Sequence, residues 1–86
     1  MKDEKLRRRV LERAKRDRSG GEVHMEMHPL AGEFDLRKQD VQFLLQEMQS
    51  EGLIDVRFDR AEAIVKLKVR GEVMLDSLPK AALGFQ

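Results

Sequence analysis

The stretch that decides the fold is Asp35–Ile54, DLRKQDVQFLLQEMQSEGLI. Val41, Leu44, Leu45 and Met48 recur at i, i+3, i+4 and i+7, which lines them along one face of an α-helix. Asp35 is placed to cap that helix through a carboxylate accepting a free main-chain N–H. Gly52 stops it, and Leu53 and Ile54 enter a strand. Opposite the apolar stripe lie Gln39, Phe43, Gln46 and Ser50, with Gln42 on one flank.

Downstream, Ile54, Val56 and Phe58 alternate with Asp55 and Arg57, the period of a half-buried strand. Asp59–Glu62, DRAE, makes the connection without the glycine that favours primed hairpin turns. The return strand is Ala63–Val69, with Ala63, Val65, Leu67 and Val69 inward and Ile64, Lys66 and Lys68 outward. Arg57, Arg60, Lys66 and Lys68 make this hairpin basic on its outer face and tip. Such cations suit contact with a nucleic-acid backbone, and they equally suit an edge strand protected against aggregation. A short last helix runs through Leu78, with Met74, Leu75 and Leu78 inward, until Pro79 ends it. The tail at 79–86 either packs back through Leu83 and Phe85 or frays.

Upstream, Asp3 is placed to cap a helix reaching Arg18, with Leu6, Val10, Leu11 and Ala14 as a narrow apolar stripe. Glu4 with Arg8, and Glu12 with Arg16, are i,i+4 pairs. Arg8, Arg9, Lys15 and Arg16 read either as a solvated charged face or as phosphate contacts, and the narrow stripe also suits a dimer. Ser19, Gly20 and Gly21 break the helix. Glu22–His28, EVHMEMH, alternates strictly and predicts a strand with Val23, Met25 and Met27 on one side. His24, Glu26 and His28 share the other side. No supporting ligand is evident elsewhere, so solvent-facing histidines are expected there and no metal site. Pro29–Phe34, PLAGEF, predicts an abbreviated second helix with Leu30 and Phe34 docking inward.

Composition bounds the rest. Eighty-six residues, 41% hydrophobic and 38% charged, predict one soluble α+β domain over 1–86 with a modest core. There is no Cys, Trp or Tyr, which removes thiol chemistry and leaves only Phe and His for base stacking. No apolar run approaches the ~18 residues needed to span a bilayer. The charged start lacks the apolar core of a secretory signal, so a cytoplasmic location is expected. The net charge of +1 conceals an asymmetry. Residues 1–18 carry nine basic and four acidic residues, and the remainder carries eight basic and twelve acidic. The basic-patch argument for nucleic acid therefore applies to the first helix and not to the whole domain.

The order helix, strand, short helix, long helix, hairpin, short helix, with EGLI at 51–54 and LKVRGEVMLDSL at 67–78, resembles the winged helix-turn-helix pattern. Leu67, Lys68, Val69, Arg70 and Gly71 fill the segment that opens the last helix. Within that superfamily the chain is most similar to small bacterial and phage proteins of the YjcQ-like kind, themselves of unknown function. The resemblance implies a recognition helix at 35–51 and a wing at 55–69. It implies DNA contact by Arg37, Lys38, Gln39, Gln42, Phe43 and Gln46, and by the basic wing residues.

The functional expectation is a DNA-binding winged-helix protein, a regulator of transcription, with duplex DNA and a second copy of the chain as partners. Arg37 and Lys38 lie in the first turn of the long helix, where cations oppose the helix dipole by ~0.3–1 kcal/mol each. Their tolerance there points to an anionic partner. Glutamine offers a paired donor and acceptor to an adenine edge, and it is equally an ordinary helix former on a wet surface. Phe43 meets a thymine methyl, a partner protein or the first helix. The alternative function is a protein-interaction module of the same fold, using Phe43 and the first helix without DNA. An enzyme is not expected, since Ser19, Ser50 and Ser77 lack a nucleophile elbow and no phosphate-cradling glycine motif appears. No cofactor is implied.

Overall fold

A glycine-terminated helix running into a strand sets the frame. The structure, a computed structural model, describes residues 2–16 and 21–77. Their elements are α1 (Lys2–Arg16), β1 (Val23–Glu26), α2 (Met27–Glu33), α3 (Lys38–Ser50), β2 (Ile54–Asp59), β3 (Glu62–Leu67) and α4 (Val69–Ser77). They form a small α+β domain with one antiparallel sheet in the order β1-β3-β2.

α3 ends as its sequence predicts. Gly52 takes φ +80°. Its N–H donates to the Gln49 carbonyl at 3.0 Å, and that of Leu53 donates to the Met48 carbonyl at 3.1 Å. These are the paired bonds of a Schellman motif, and they turn the chain into β2. The start differs from expectation. Asp35 does not cap α3; it lies before it at φ 55°. Arg37 is the N-cap residue, and its N–H donates to Asp40 Oδ2 at 3.2 Å. A carboxylate inside the first turn thus takes the role expected of one before the helix, and it also meets the positive end of the dipole. The helix is accordingly 38–50 rather than 35–51.

The inner face of α3 packs as predicted, with Val41, Leu44, Leu45 and Met48 all buried. The α1 stripe of Leu6, Val10, Leu11 and Ala14 is buried with it, as are Val23, Met25, Leu53, Ile54, Ala63 and Val65 from the sheet side. Each large side chain so removed from water contributes roughly 1.5–3 kcal/mol. Every buried side chain among the described residues is apolar.

Several boundaries move. Asp3 lies inside the first turn of α1 and does not precede it. The strand expected to reach His28 ends at Glu26, because Met27 opens α2. Pro29 is then the third residue of that helix, where its missing N–H has no helical acceptor in any case. The hairpin turn is Arg60–Ala61, with Asp59 paired to Glu62 and Arg60 at φ 58°. Ile64, expected outward, is buried on that face, flanked in register by His24 of β1 and Arg57 of β2. The aliphatic stem of an arginine can cover an apolar neighbour in this way. β3 ends at Leu67, so the hairpin expected at 55–69 spans 54–67. Val69 is not an inner strand residue but the first residue of α4, and it is 78% exposed. Met74, expected inward, is exposed, whereas Leu75 is buried. The expectations for Leu78 and for the tail at 79–86 lie outside the described residues, as does the end of the first helix at 17–18.

Candidate functional site

The outer half of α3 is the surface on which the sequence places most of its function. Arg37, Lys38, Gln39 and Gln46 are exposed, Gln42 is half-buried, and Phe43 is 63% exposed. The reading in which Phe43 packs on the first helix therefore fails, and its ring is offered to solvent. The apolar stripe of α3 points inward, so this face is outward by necessity.

Two carboxylates on or beside this face are occupied within the fold. Asp40 accepts the Arg37 N–H. Glu47 accepts from Arg7 Nη2 at 2.8 Å, and the same guanidinium holds Glu51 through Nη1 at 2.7 Å. Arg7 thus clamps α1 to the last turn of α3. Hydrogen bonding to Glu51 raises the Arg7 pKa against the opposing effect of burial. The Arg7 hydrogen bond holds the Glu51 carboxyl below its ordinary range. A carboxyl whose pKa is lower folded than unfolded adds stability above the unfolded value, and that stability drains away as pH falls through the folded one. Glu51→Gln is expected to flatten the loss of thermal stability between about pH 5 and pH 3. Melting curves across that range check this; an unchanged acid limb contradicts it.

The sequence reading missed Arg7, although a signal existed. Glu47 and Glu51 are like charges at i,i+4, an arrangement that destabilises a helix unless a cation lies between them.

Three other cations of α1 are likewise occupied. Arg8 Nε donates to Glu12 Oε2 at 3.2 Å, so Arg8 pairs with the next turn and not with Glu4. Lys15 Nζ donates to Asp76 Oδ1 at 2.8 Å, joining α1 to α4. Arg9 pairs with Glu33 and lies over the Phe34 ring, 5.8 Å from its centroid. Arg8, Arg9 and Lys15 therefore also serve the fold. Arg8 is mostly covered, and its Nη1 has no hydrogen-bond partner among the described residues. Its partner Glu12 stays accessible to solvent, so removing the Arg8 charge strands no buried carboxylate. Arg8→Met is expected to leave unfolding free energy within about 1 kcal/mol of the parent or above it. A loss of several kcal/mol on chemical denaturation would show that the charge itself is needed.

The four basic residues of the hairpin divide into two pairs. Arg57 Nη2 donates to Glu22 Oε1 at 3.2 Å, and Lys68 Nζ lies 4.0 Å from Asp55 Oδ1. Arg60 at the turn and Lys66 on β3 are exposed and make no ion pair among the described residues. On β1, His24 Nδ1 lies 3.4 Å from Glu62 Oε1. His28 belongs to α2, so the row His24, Glu26, His28 does not continue along one strand.

No helix among the described residues is long and apolar enough to cross a membrane. No family model matches this chain, and neither a curated protein nor a solved structure matches it.

Proposed function

We propose that this chain is a winged-helix DNA-binding protein in which α3 reads the major groove and the β2–β3 hairpin holds the backbone. The element order and the sheet order β1-β3-β2 support the fold reading. The observation that carries the function is the outer half of α3. Arg37 and Lys38 stand at its amino end, Gln39, Gln42 and Gln46 follow, and the nearby carboxylates Asp40 and Glu47 are occupied internally. An α-helix fits the major groove, and a glutamine amide matches the N6 and N7 edge of adenine. Arg60 and Lys66 then bind phosphates on the flank, fixing register without reading sequence. Arg57 and Lys68 reach phosphate by exchanging an exposed ion pair, so their net contributions are smaller. We extend the proposal to a regulatory role in transcription, in the cytoplasm.

The test separates reading from positioning. Duplexes selected from a random pool are titrated with the wild type, Gln42→Ala/Gln46→Ala and Arg60→Ala/Lys66→Ala. The glutamine changes are expected to reduce the preference for the selected site while leaving random-duplex binding nearly intact. The wing changes are expected to weaken all duplexes alike. Equal effects of the two pairs on both duplexes would contradict these roles.

One observation favours a second reading, a protein-interaction module of the same fold. Phe43 is a large apolar residue 63% exposed in the centre of the polar face. Aromatic residues so placed are frequent anchors of protein interfaces. In that case Phe43→Ala would abolish capture of a stoichiometric protein partner after nuclease treatment, and duplex DNA would not compete.

A further inference from the structure

The outer face of α3 carries a set of groups that suits one kind of base pair. Gln39, Gln42 and Gln46 fall within an arc of about 60° around the helix, and Phe43 lies about 40° beyond Gln39. Gln39, Phe43 and Gln46 are exposed and Gln42 is half-buried, so the four form one accessible strip. From Gln39 to Gln46 the helix rises about 10 Å, which matches three base-pair steps of about 3.4 Å. Arg37 and Lys38 stand at the amino end, outside the arc. The two carboxylates that border it beyond Phe43 are engaged. Asp40 accepts the Arg37 N–H, and Glu47 accepts from Arg7.

Given the DNA reading of α3, on which this rests, we infer that the helix selects A·T over G·C base pairs across a run of about four pairs. Gln39, Gln42 and Gln46 read adenines, and Phe43 reads the thymine methyl. Adenine offers N7 as an acceptor and N6 as a donor, which a glutamine amide meets with its NH2 and its carbonyl. Set on guanine with its NH2 at N7, the same amide brings its carbonyl against O6, acceptor to acceptor. A polar group left unpaired in this way weighs against the wrong base. Guanine calls for the donors of arginine or lysine, and cytosine calls for a carboxylate. The arc holds no residue of either kind, and the carboxylates at its border are bonded within the fold. Thymine adds the C5 methyl, an apolar group on the floor of the major groove. Phe43 is the one apolar side chain of the strip, placed where it covers that methyl beside a glutamine on the paired adenine.

Fluorescence anisotropy on the full chain tests this, with melting curves to verify that every variant folds. The duplexes share their flanks and carry a central A·T run, a central G·C run, or the A·T run with one base replaced throughout. 7-Deazaadenine lacks the N7 acceptor, and deoxyuridine lacks the thymine methyl. Both keep base pairing intact, so they separate edge contacts from the shape of an A·T run. The A·T duplex is expected to bind about tenfold more tightly than the G·C duplex. 7-Deazaadenine is expected to weaken the wild type about tenfold and to leave Gln39→Ala/Gln42→Ala/Gln46→Ala nearly unaffected. Deoxyuridine is expected to weaken the wild type about fourfold and to leave Phe43→Ala nearly unaffected. Duplex binding with equal affinity for the A·T and G·C runs overturns the selectivity alone and leaves the DNA reading standing. So do base replacements that cost the variants as much as the wild type. If no duplex binds, the DNA reading falls and the selectivity with it, and Phe43 passes to a protein partner.

Discussion

Gly71→Ala is expected to destabilise the domain by about 3 kcal/mol or more, enough to remove much of the stability of a chain this small. Gly71 is a buried residue in the first turn of α4. A Cβ built on it would lie 2.2 Å from the Leu53 carbonyl oxygen and 3.0 Å from Leu67 Cδ1. The oxygen belongs to main chain that already accepts the Lys68 N–H at 3.0 Å, so it cannot yield without breaking the junction of sheet and helix. Helix propensity alone argues the other way, since alanine is favoured over glycine in a helix by about 1 kcal/mol. The sign of the measured change therefore separates the two effects. Chemical denaturation that finds Gly71→Ala as stable as the parent, or more stable, would show that α4 is not seated against Leu53. Gly52 gives the contrast. The nearest atom to a Cβ there is Arg70 Cδ at 3.6 Å, so alanine at 52 has room and bears only the strain of φ +80°. Its cost is about 1 kcal/mol.

Arg37→Glu/Lys38→Glu is expected to lower affinity for any duplex by about 100-fold at low salt, because two phosphate-facing cations are lost and two anions are brought against the backbone. The same change is expected to raise stability by a few tenths of a kcal/mol, because acidic residues suit the amino end of a helix. Function and stability thus move in opposite directions, which a merely disruptive substitution does not produce. Fluorescence anisotropy with random duplexes, beside a thermal melt, measures both. Unchanged affinity would remove α3 from the DNA reading and leave the exposed Phe43 as the main feature of that face.

The apolar stripes of α1 and α3 are legible in the sequence because helical periodicity and burial obey the same geometry. Leu6, Val10, Val41, Leu44, Leu45 and Met48 all point inward as their spacing requires. Gly52 is legible because only glycine takes a positive φ without strain. The capping carboxylate is ambiguous between Asp35 and Asp40, since both positions can present an oxygen to the helix start. Met27 and Val69 read as strand residues because alternation continues in sequence past the point where the next helix begins. The candidate surface is legible as a set of residues on one helix face. Its electrostatics are not, because they depend on distant partners. Arg7 reaches Glu47 and Glu51 across about forty positions, and Glu22 takes up Arg57 from another strand. The seat of Gly71 under Leu53 and the bond that the Val56 N–H donates to Gln49 Oε1 are likewise products of tertiary approach, with no local pattern to announce them.

The most direct test of the DNA reading is the salt dependence of duplex binding by the wild-type chain. Arg60 and Lys66 are the hairpin cations proposed to meet phosphates, Arg37 and Lys38 at the amino end of α3 are assigned the same contact, and each such pairing releases about 0.9 of a counterion from duplex DNA. A plot of log K against log salt is expected to be linear with a slope of about −3.5 per bound chain, and to become shallower by about 1 for each of these residues changed to alanine. No binding at micromolar protein and low salt, or binding that does not weaken as salt rises, would contradict it.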